Sequence, residues 1–69
     1  MRYAIVIEQA NGNYSAYAPD MPGCVATGAT LEEVQQTMQE ALAFHLEGLR
    51  AEGLPIPQPS TVAYVEVAA

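Results

Sequence analysis

Glutamates are the side chains of this sequence that could perform hydrolytic chemistry. Carboxylates that converge on one point can hold two magnesium ions, which clamp the attacking and leaving oxygens of a phosphodiester. The candidate ligands are Glu8, either Glu33 or Glu40, and Glu66. The only aspartate, Asp20, falls in a predicted loop, and Glu66 lies before the end of its predicted strand rather than at its tip. We therefore interpret the glutamates as solvated surface acids and predict no metal site and no catalytic residue.

Two further reactive residues, His45 and Cys24, occur once each. His45 lies on the apolar stripe of a predicted helix, where no pattern of nucleophile and orienting carboxylate surrounds it, so a partly buried structural histidine is expected. Cys24 has no disulfide partner within the chain, and no neighbouring positive charge in the sequence would favour its thiolate. We expect it to be an inert small hydrophobe, and we predict no cofactor.

The charge balance restricts the class of partner. The chain has eight acidic residues, two arginines and no lysine, which gives a formal net charge of −6. Nucleic-acid binding depends on neutralising phosphates with lysine and arginine, so direct binding is not expected. An acidic surface keeps a protein soluble, and it also speeds the approach of a basic partner. No apolar run approaches the ~20 residues of a membrane span, and no signal peptide precedes the polar residues 8–13, so we expect a cytoplasmic protein.

The length of 69 residues predicts a single domain over residues 1–69. A domain of this size buries only about 60% of the surface of its unfolded chain, so its stability is modest. The sequence offers no disulfide and no zinc site that would increase this stability. Association between copies is the remaining common solution, and a homo-dimer or homo-tetramer is expected.

The pattern of apolar residues predicts the element order β-β-β-α-β. Apolar and β-branched residues indicate strands, the Asn11-Gly12 pair is typical of a tight hairpin turn, and apolar residues at steps of three and four indicate a helix. Thr30 with Glu33 forms a capping box, and Gly53 follows the helix where a terminating glycine is favoured. The predicted strands cover residues 2–8, 13–18, 23–27 and 61–67, and the predicted helix covers residues 31–52.

This order predicts a two-layer α+β sandwich, with a mostly antiparallel sheet and one helix packed on one of its faces. The helical crossover implies a parallel pairing, which we place between the fourth and first strands, with a right-handed connection. Both of those strands carry apolar residues on both faces, for example Ala4 and Val6 opposite Ile5 and Ile7. One helix covers only one face, so a partner is expected to cover the other.

Three motifs, in a fixed order and spacing, give the chain a family resemblance. They are Pro19-Asp20-Met21-Pro22-Gly23-Cys24, then Gly28-x-Thr30-x-Glu32-Glu33, then Glu47-Gly48-Leu49-x-x-x-Gly53-x-Pro55-Ile56-Pro57-x-Pro59. Together with the N-terminal strand pair they resemble the HicB-like antitoxin family over nearly the whole chain. The resemblance implies a partial ribonuclease H fold without catalysis. It also implies binding and neutralisation of a small basic HicA-like ribonuclease toxin that cuts messenger RNA.

Many members of that family also carry a C-terminal DNA-binding domain. This sequence stops at Ala69, so direct binding to operator DNA is not expected. Two other functions stay open: an oligomeric domain that binds a small ligand, and a degenerate metal-dependent nuclease.

We predict a partner-binding surface at the Pro-Gly loop and on the outer face of the sheet. Tyrosine is enriched among the residues that dominate binding energy at interfaces. The predicted contact residues are Asp20, Met21, Pro22 and Gly23 in the loop, with Tyr17 and Tyr64 on strands.

Overall fold

A computed structural model describes residues 1–68 of the chain. Three antiparallel strands are followed by one long helix, which makes an α+β fold. The strands are β1 (Val6–Ala10), β2 (Asn13–Tyr17) and β3 (Val25–Gly28), and the helix is α1 (Leu31–Ala51). The sheet has the order β1-β2-β3, so consecutive strands are neighbours.

The turn between β1 and β2 forms as the sequence predicts. Asn11 and Gly12 have φ angles of 35° and 84°. Two successive positive φ values match the twist of the flanking strands, and Asn-Gly adopts them with little strain. This turn fixes the register in which Val6 lies opposite Tyr17 and Ile7 lies opposite Ala16.

The inner face of the sheet consists mainly of small side chains. Ile7, Ala16 and Ala26 form one row across the three strands. The small side chains let α1 lie close to β2 and β3, and Val34 and Met38 of the helix are fully buried against them. The buried core comprises Ala16, Ala18, Met21, Cys24, Ala26, Val34 and Met38.

Gly28 marks the closest approach between sheet and helix. A Cβ atom at this position would lie 2.8 Å from the backbone nitrogen of Val34 and 3.1 Å from its Cα. Real Cβ atoms essentially never come within 3.0 Å of another heavy atom, and here the neighbour is backbone that cannot rotate away. Glycine is therefore required where β3 leads into α1.

Both ends of α1 are capped, and at the N-terminus one of the two hydrogen bonds of the predicted capping box is present in the described residues. The Thr30 hydroxyl accepts a hydrogen bond from the backbone nitrogen of Glu33 at 3.0 Å. At the other end Gly53 has a φ of 68°. Its N–H donates to the carbonyl of Arg50, and the N–H of Leu54 donates to the carbonyl of Leu49. This pair of bonds is the Schellman arrangement that satisfies the last carbonyls of a helix.

The predicted fourth strand, residues 61–67, is wrong for the single chain. No strand is assigned within residues 54–68. A strand requires a hydrogen-bonded neighbour, and Pro55, Pro57 and Pro59 have no N–H to donate in the approach to this segment. The predicted parallel pairing with β1 is therefore also absent from the described residues. These residues do not complete the partial ribonuclease H arrangement that the resemblance implies.

The first strand is shorter than predicted, because it begins at Val6 rather than Arg2. Its pairing partner β2 ends at Tyr17, opposite Val6, and the chain then turns at Pro19. Residues 2–5 have nothing to pair with on that side. The other differences in strand and helix bounds are one or two residues at each end.

Among the residues that the structure describes, no helix is long and apolar enough to cross a membrane.

Replacing Gly28 by alanine is expected to destabilise the fold by about 1–3 kcal/mol, because the added methyl group meets helix backbone. Gly48→Ala is the matched control, since its Cβ would meet nothing within 4 Å. Within a helix that change is expected to stabilise by about 0.5–1 kcal/mol. Urea denaturation of both variants measures the two effects, and equal shifts of the midpoints would contradict the close approach.

Thr30→Ala is expected to cost about 1 kcal/mol of stability, because it removes the hydroxyl that caps the helix. Thr37→Ala, an exposed change in the middle of the same helix, serves as the control and is expected to be neutral or slightly stabilising. The same denaturation experiment checks this. If both threonines gave the same change in midpoint, the cap would have no part in stability.

Candidate partner-binding surface

The Pro-Gly loop is a compact turn rather than a flexible connection. The N–H of Ala18 donates to the carbonyl of Cys24. Between them, the N–H of Met21 donates to the carbonyl of Ala18, and the N–H of Cys24 donates to the carbonyl of Met21. Gly23 has a φ of 92°, a value that favours glycine. The loop therefore presents a fixed shape, with Pro22 and Gly23 exposed at its tip.

Met21 does not lie on the loop surface as the prediction required. Its side chain is 1% exposed and belongs to the core beside Val34 and Met38. It supports the loop from inside and is not available to a partner in this structure. An apolar residue in a Pro-rich loop is as compatible with burial as with exposure, so the sequence alone did not distinguish the two.

Asp20 holds the C-terminal segment in place. One carboxylate oxygen accepts a hydrogen bond from the backbone nitrogen of Ser60 at 2.8 Å, and the other accepts one from the Ser60 hydroxyl at 2.6 Å. These two hydrogen bonds favour the ionised form and lower the pKa of Asp20 below its ordinary value of 3.8. The loop aspartate thus has a structural contact within the chain.

An exposed apolar row crosses the outer face of the sheet. Tyr17 lies between Val6 on β1 and Val25 on β3, and all three are exposed, with Tyr17 at 43% and Val25 at 67%. The helix packs on the opposite face of the sheet. Together with the tip of the Pro-Gly loop, which directly connects Tyr17 to Val25, it forms the surface that we call the outer row.

Two of the outer-row residues were not among the predicted contacts. The Asn11-Gly12 turn already implies that Val6 faces Tyr17, so this neighbour could have been found from the sequence. Val25 could not, because its register depends on how the loop between β2 and β3 folds. The contact between Ser60 and Asp20 could not be predicted from the sequence either, because no local pattern relates these two distant residues.

Tyr64 belongs to the C-terminal segment. It is 94% exposed and lines a cleft between that segment and residues 2–5. The predicted contact residues thus lie on three parts of the chain: Tyr17 on β2, Pro22 and Gly23 in the exposed tip of the loop, and Tyr64 near the C-terminus.

The candidate metal ligands do not converge. Within residues 1–68 no group of three or more histidine, cysteine, aspartate or glutamate side chains could hold a metal ion. Glu40 accepts a hydrogen bond from Gln36, one helical turn away, while Glu8 and Glu66 are exposed on separate segments. Cys24 is buried in the core and His45 is half-buried on the helix.

The contact between Asp20 and Ser60 is expected to depend on pH. The lowered pKa means that the contact is fully formed above the ordinary value of 3.8 and is lost as the pH falls through the lower value of the folded state. An NMR titration of the Ser60 amide and the Asp20 carboxyl should show one common transition below pH 3.8. Ser60→Ala should raise the pKa of Asp20 towards that value.

Ser15→Ala, an exposed serine on β2, is the control for this titration and should leave Asp20 unchanged. A titration of Asp20 that is identical in the wild type and in Ser60→Ala would show that the hydrogen bond from the Ser60 hydroxyl does not form in solution.

Comparison with known proteins identifies relatives that match most of the chain. A family model described as the HicB-like antitoxin of bacterial toxin–antitoxin systems matches residues 3–68. A 14.9 kDa protein of the rep-hol intergenic region of Haemophilus phage HP1 is 37% identical over 62 residues. A UPF0150 protein of Synechocystis is 34% identical over 61 residues.

The relatives differ in length. The matched part is 90% of this chain but 47% of the phage protein, so the chain spans about half of that relative. For the Synechocystis protein the shares are 87% and 77%.

A solved structure shows the same fold. A chain of the HicA3 and HicB3 toxin–antitoxin complex superposes with a TM-score of 0.71 at 35% sequence identity, covering 87% of this chain and 70% of that one. The family match over residues 3–68 and this likeness agree with the resemblance carried by the sequence motifs. The chain belongs to the HicB-like antitoxin family of bacterial toxin–antitoxin systems.

Proposed function

We propose that this protein is a non-catalytic antitoxin module that binds and neutralises a small basic HicA-like ribonuclease toxin. The observation that carries the proposal is the 35% identity and TM-score of 0.71 to a chain of a toxin–antitoxin complex. Residues 1–69 act as one interaction module in this proposal, and the encounter takes place in the cytoplasm.

Charge supports a basic partner. Eight acidic residues and two arginines give a net charge of −6, and a positively charged protein is drawn to such a surface faster than a neutral one. The attraction is screened by salt, with a Debye length of about 8 Å at physiological ionic strength. Association with the toxin should therefore slow as salt is added.

The outer row supplies the apolar part of the contact. An interface needs an anchor that is desolvated on binding, and an exposed tyrosine flanked by two valines offers a rigid side chain with a polar tip. Pro22 and Gly23 lie at one end of the row and add a backbone of fixed shape. Asp20 contributes by holding the loop and the C-terminal segment together, and it is not proposed as a main contact residue.

Self-association is the second part of the proposal. We propose that the protein forms a homo-dimer or homo-tetramer, since a chain of 69 residues has a small core and no disulfide. In an assembly of this kind each copy keeps its outer row free for one toxin.

The test of function is inhibition of RNA cleavage. A HicA-like toxin from the same source organism is incubated with labelled RNA, alone and with increasing amounts of this protein. We expect cleavage to stop near one antitoxin chain per toxin, and we expect this protein alone, with Mg²⁺, to leave the RNA intact. Undiminished cleavage in the presence of excess protein would overturn the proposal.

Tyr17→Ala is expected to weaken toxin binding at least tenfold, because it removes the central side chain of the outer row. Phe44→Ala is the matched control, since Phe44 is an equally large aromatic residue, 80% exposed, on the helix. Isothermal titration calorimetry with the toxin measures both affinities. Equal losses in the two variants would show that the outer row is not the binding surface.

A further inference from the structure

The sheet has one edge that continues beyond its paired region. In the order β1-β2-β3 the strand β1 is an edge, and no strand is paired with residues 2–5, which precede it. An edge strand presents a row of unpaired N–H and carbonyl groups, which is a template for adding another strand.

Two clefts lie along this N-terminal stretch. On the helix side an apolar groove of about 320 Å³ separates Tyr3 and Ile5 from Met38, Leu42 and Leu46 of α1. A second, more polar cleft of about 490 Å³ lies between residues 2–5 and the C-terminal segment at Ser60, Val62 and Tyr64. A strand added at the edge would place its backbone in the polar cleft and every second side chain in the apolar groove, because side chains alternate between the faces of a sheet.

The C-terminal segment of the chain has the composition of such a strand. Residues 61–67 are Thr-Val-Ala-Tyr-Val-Glu-Val, rich in the β-branched and aromatic residues that favour strands. In the single chain this segment packs against almost nothing, and Tyr64, Val65 and Val67 are largely exposed. Extended, its seven residues span ~23 Å, enough to run along the whole edge from residue 2 to residue 8.

The segment leaves the domain from a fixed point. The Tyr3 hydroxyl donates to the carbonyl of Pro57 at 2.6 Å, and Asp20 holds Ser60 through two hydrogen bonds. These contacts fix the beginning of the segment to Tyr3 and to the loop at Asp20, and Ser60 lies across the polar cleft from residues 2–5. The chain therefore carries both halves of a strand pair but does not join them within one copy.

We propose that two copies of this chain associate by reciprocal strand addition, in which residues 61–67 of each copy pair with residues 2–8 of the other, at the edge where β1 begins. A second copy can supply the missing strand, and it has the same unpaired edge. Each copy therefore donates one strand and accepts one, and these two equivalent contacts form a closed two-fold dimer. The side chains of Ala63, Val65 and Val67 enter the apolar groove on the helix side. Arg2 on the edge and Glu66 on the added strand bring opposite charges to the pairing.

This inference rests on the self-association included in the proposed function and supplies its structural basis. It is independent of toxin binding, which the RNA-cleavage assay tests separately. The outer row lies on the opposite face of the sheet from the apolar groove, so the dimer leaves it uncovered.

The mass of the particle in solution, measured by light scattering after size-exclusion chromatography, tests the proposal first. The full chain is expected at twice its 7.4 kDa. A chain ending at Ser60, which retains the contacts of Tyr3 and Asp20, is expected at the mass of one copy, with an unchanged helical circular dichroism signal. Val65→Pro should have the same effect through loss of one pairing N–H, and Phe44→Asp, an exposed change away from the edge, should remain dimeric.

Isotope-filtered NMR on an equal mixture of labelled and unlabelled full chain identifies the pairing itself. We expect nuclear Overhauser effects between copies, joining residues 61–67 to residues 2–8. A dimer that survives both the truncation and Val65→Pro would overturn strand addition while leaving self-association in place. A full chain that stays at the mass of one copy, or contacts that join these segments only within one copy, would overturn the reciprocal exchange.

Discussion

The close approach of the helix to the sheet is the constraint on which the rest of the molecule depends. It requires small residues on the inner face of the strands, Ala16 and Ala26, and no side chain at all at Gly28. Val34 and Met38 fill the resulting space from the helix, and Met21 closes it from the loop. Because the helix is fixed over β2 and β3, it covers neither the β1 edge nor the outer face of the sheet, and both proposed interactions use those surfaces.

The two uncovered surfaces have different physical character. The outer row is a patch of side chains, suited to a partner of complementary shape and charge, whereas the β1 edge is a row of backbone groups that only an extended segment can satisfy. The proposed toxin and the proposed second copy would therefore bind different surfaces and would not compete. Asp20 connects the two, because the loop beside the outer row also fixes the point from which the C-terminal segment departs.

Features with a local cause could be predicted from the sequence, and those that depend on distant contacts could not. The Asn11-Gly12 turn, the Thr30 cap and the Gly53 terminus each require only a few neighbouring residues, and all three form as predicted. Residues 61–67 have the composition of a strand, but among residues 1–68 no strand is assigned there. Met21 was predicted as a contact residue because it lies in a loop, and its burial follows from the position of the helix, which the loop sequence does not encode.

The central claim is that the face of the sheet opposite the helix binds the toxin. Hydrogen–deuterium exchange of this protein, free and with a HicA-like toxin, tests it most directly. The account predicts slower exchange in β3 and in the loop of residues 18–24, with unchanged exchange in the helix around Phe44. Protection confined to the helix, with β3 and the loop exchanging as in the free protein, would contradict it.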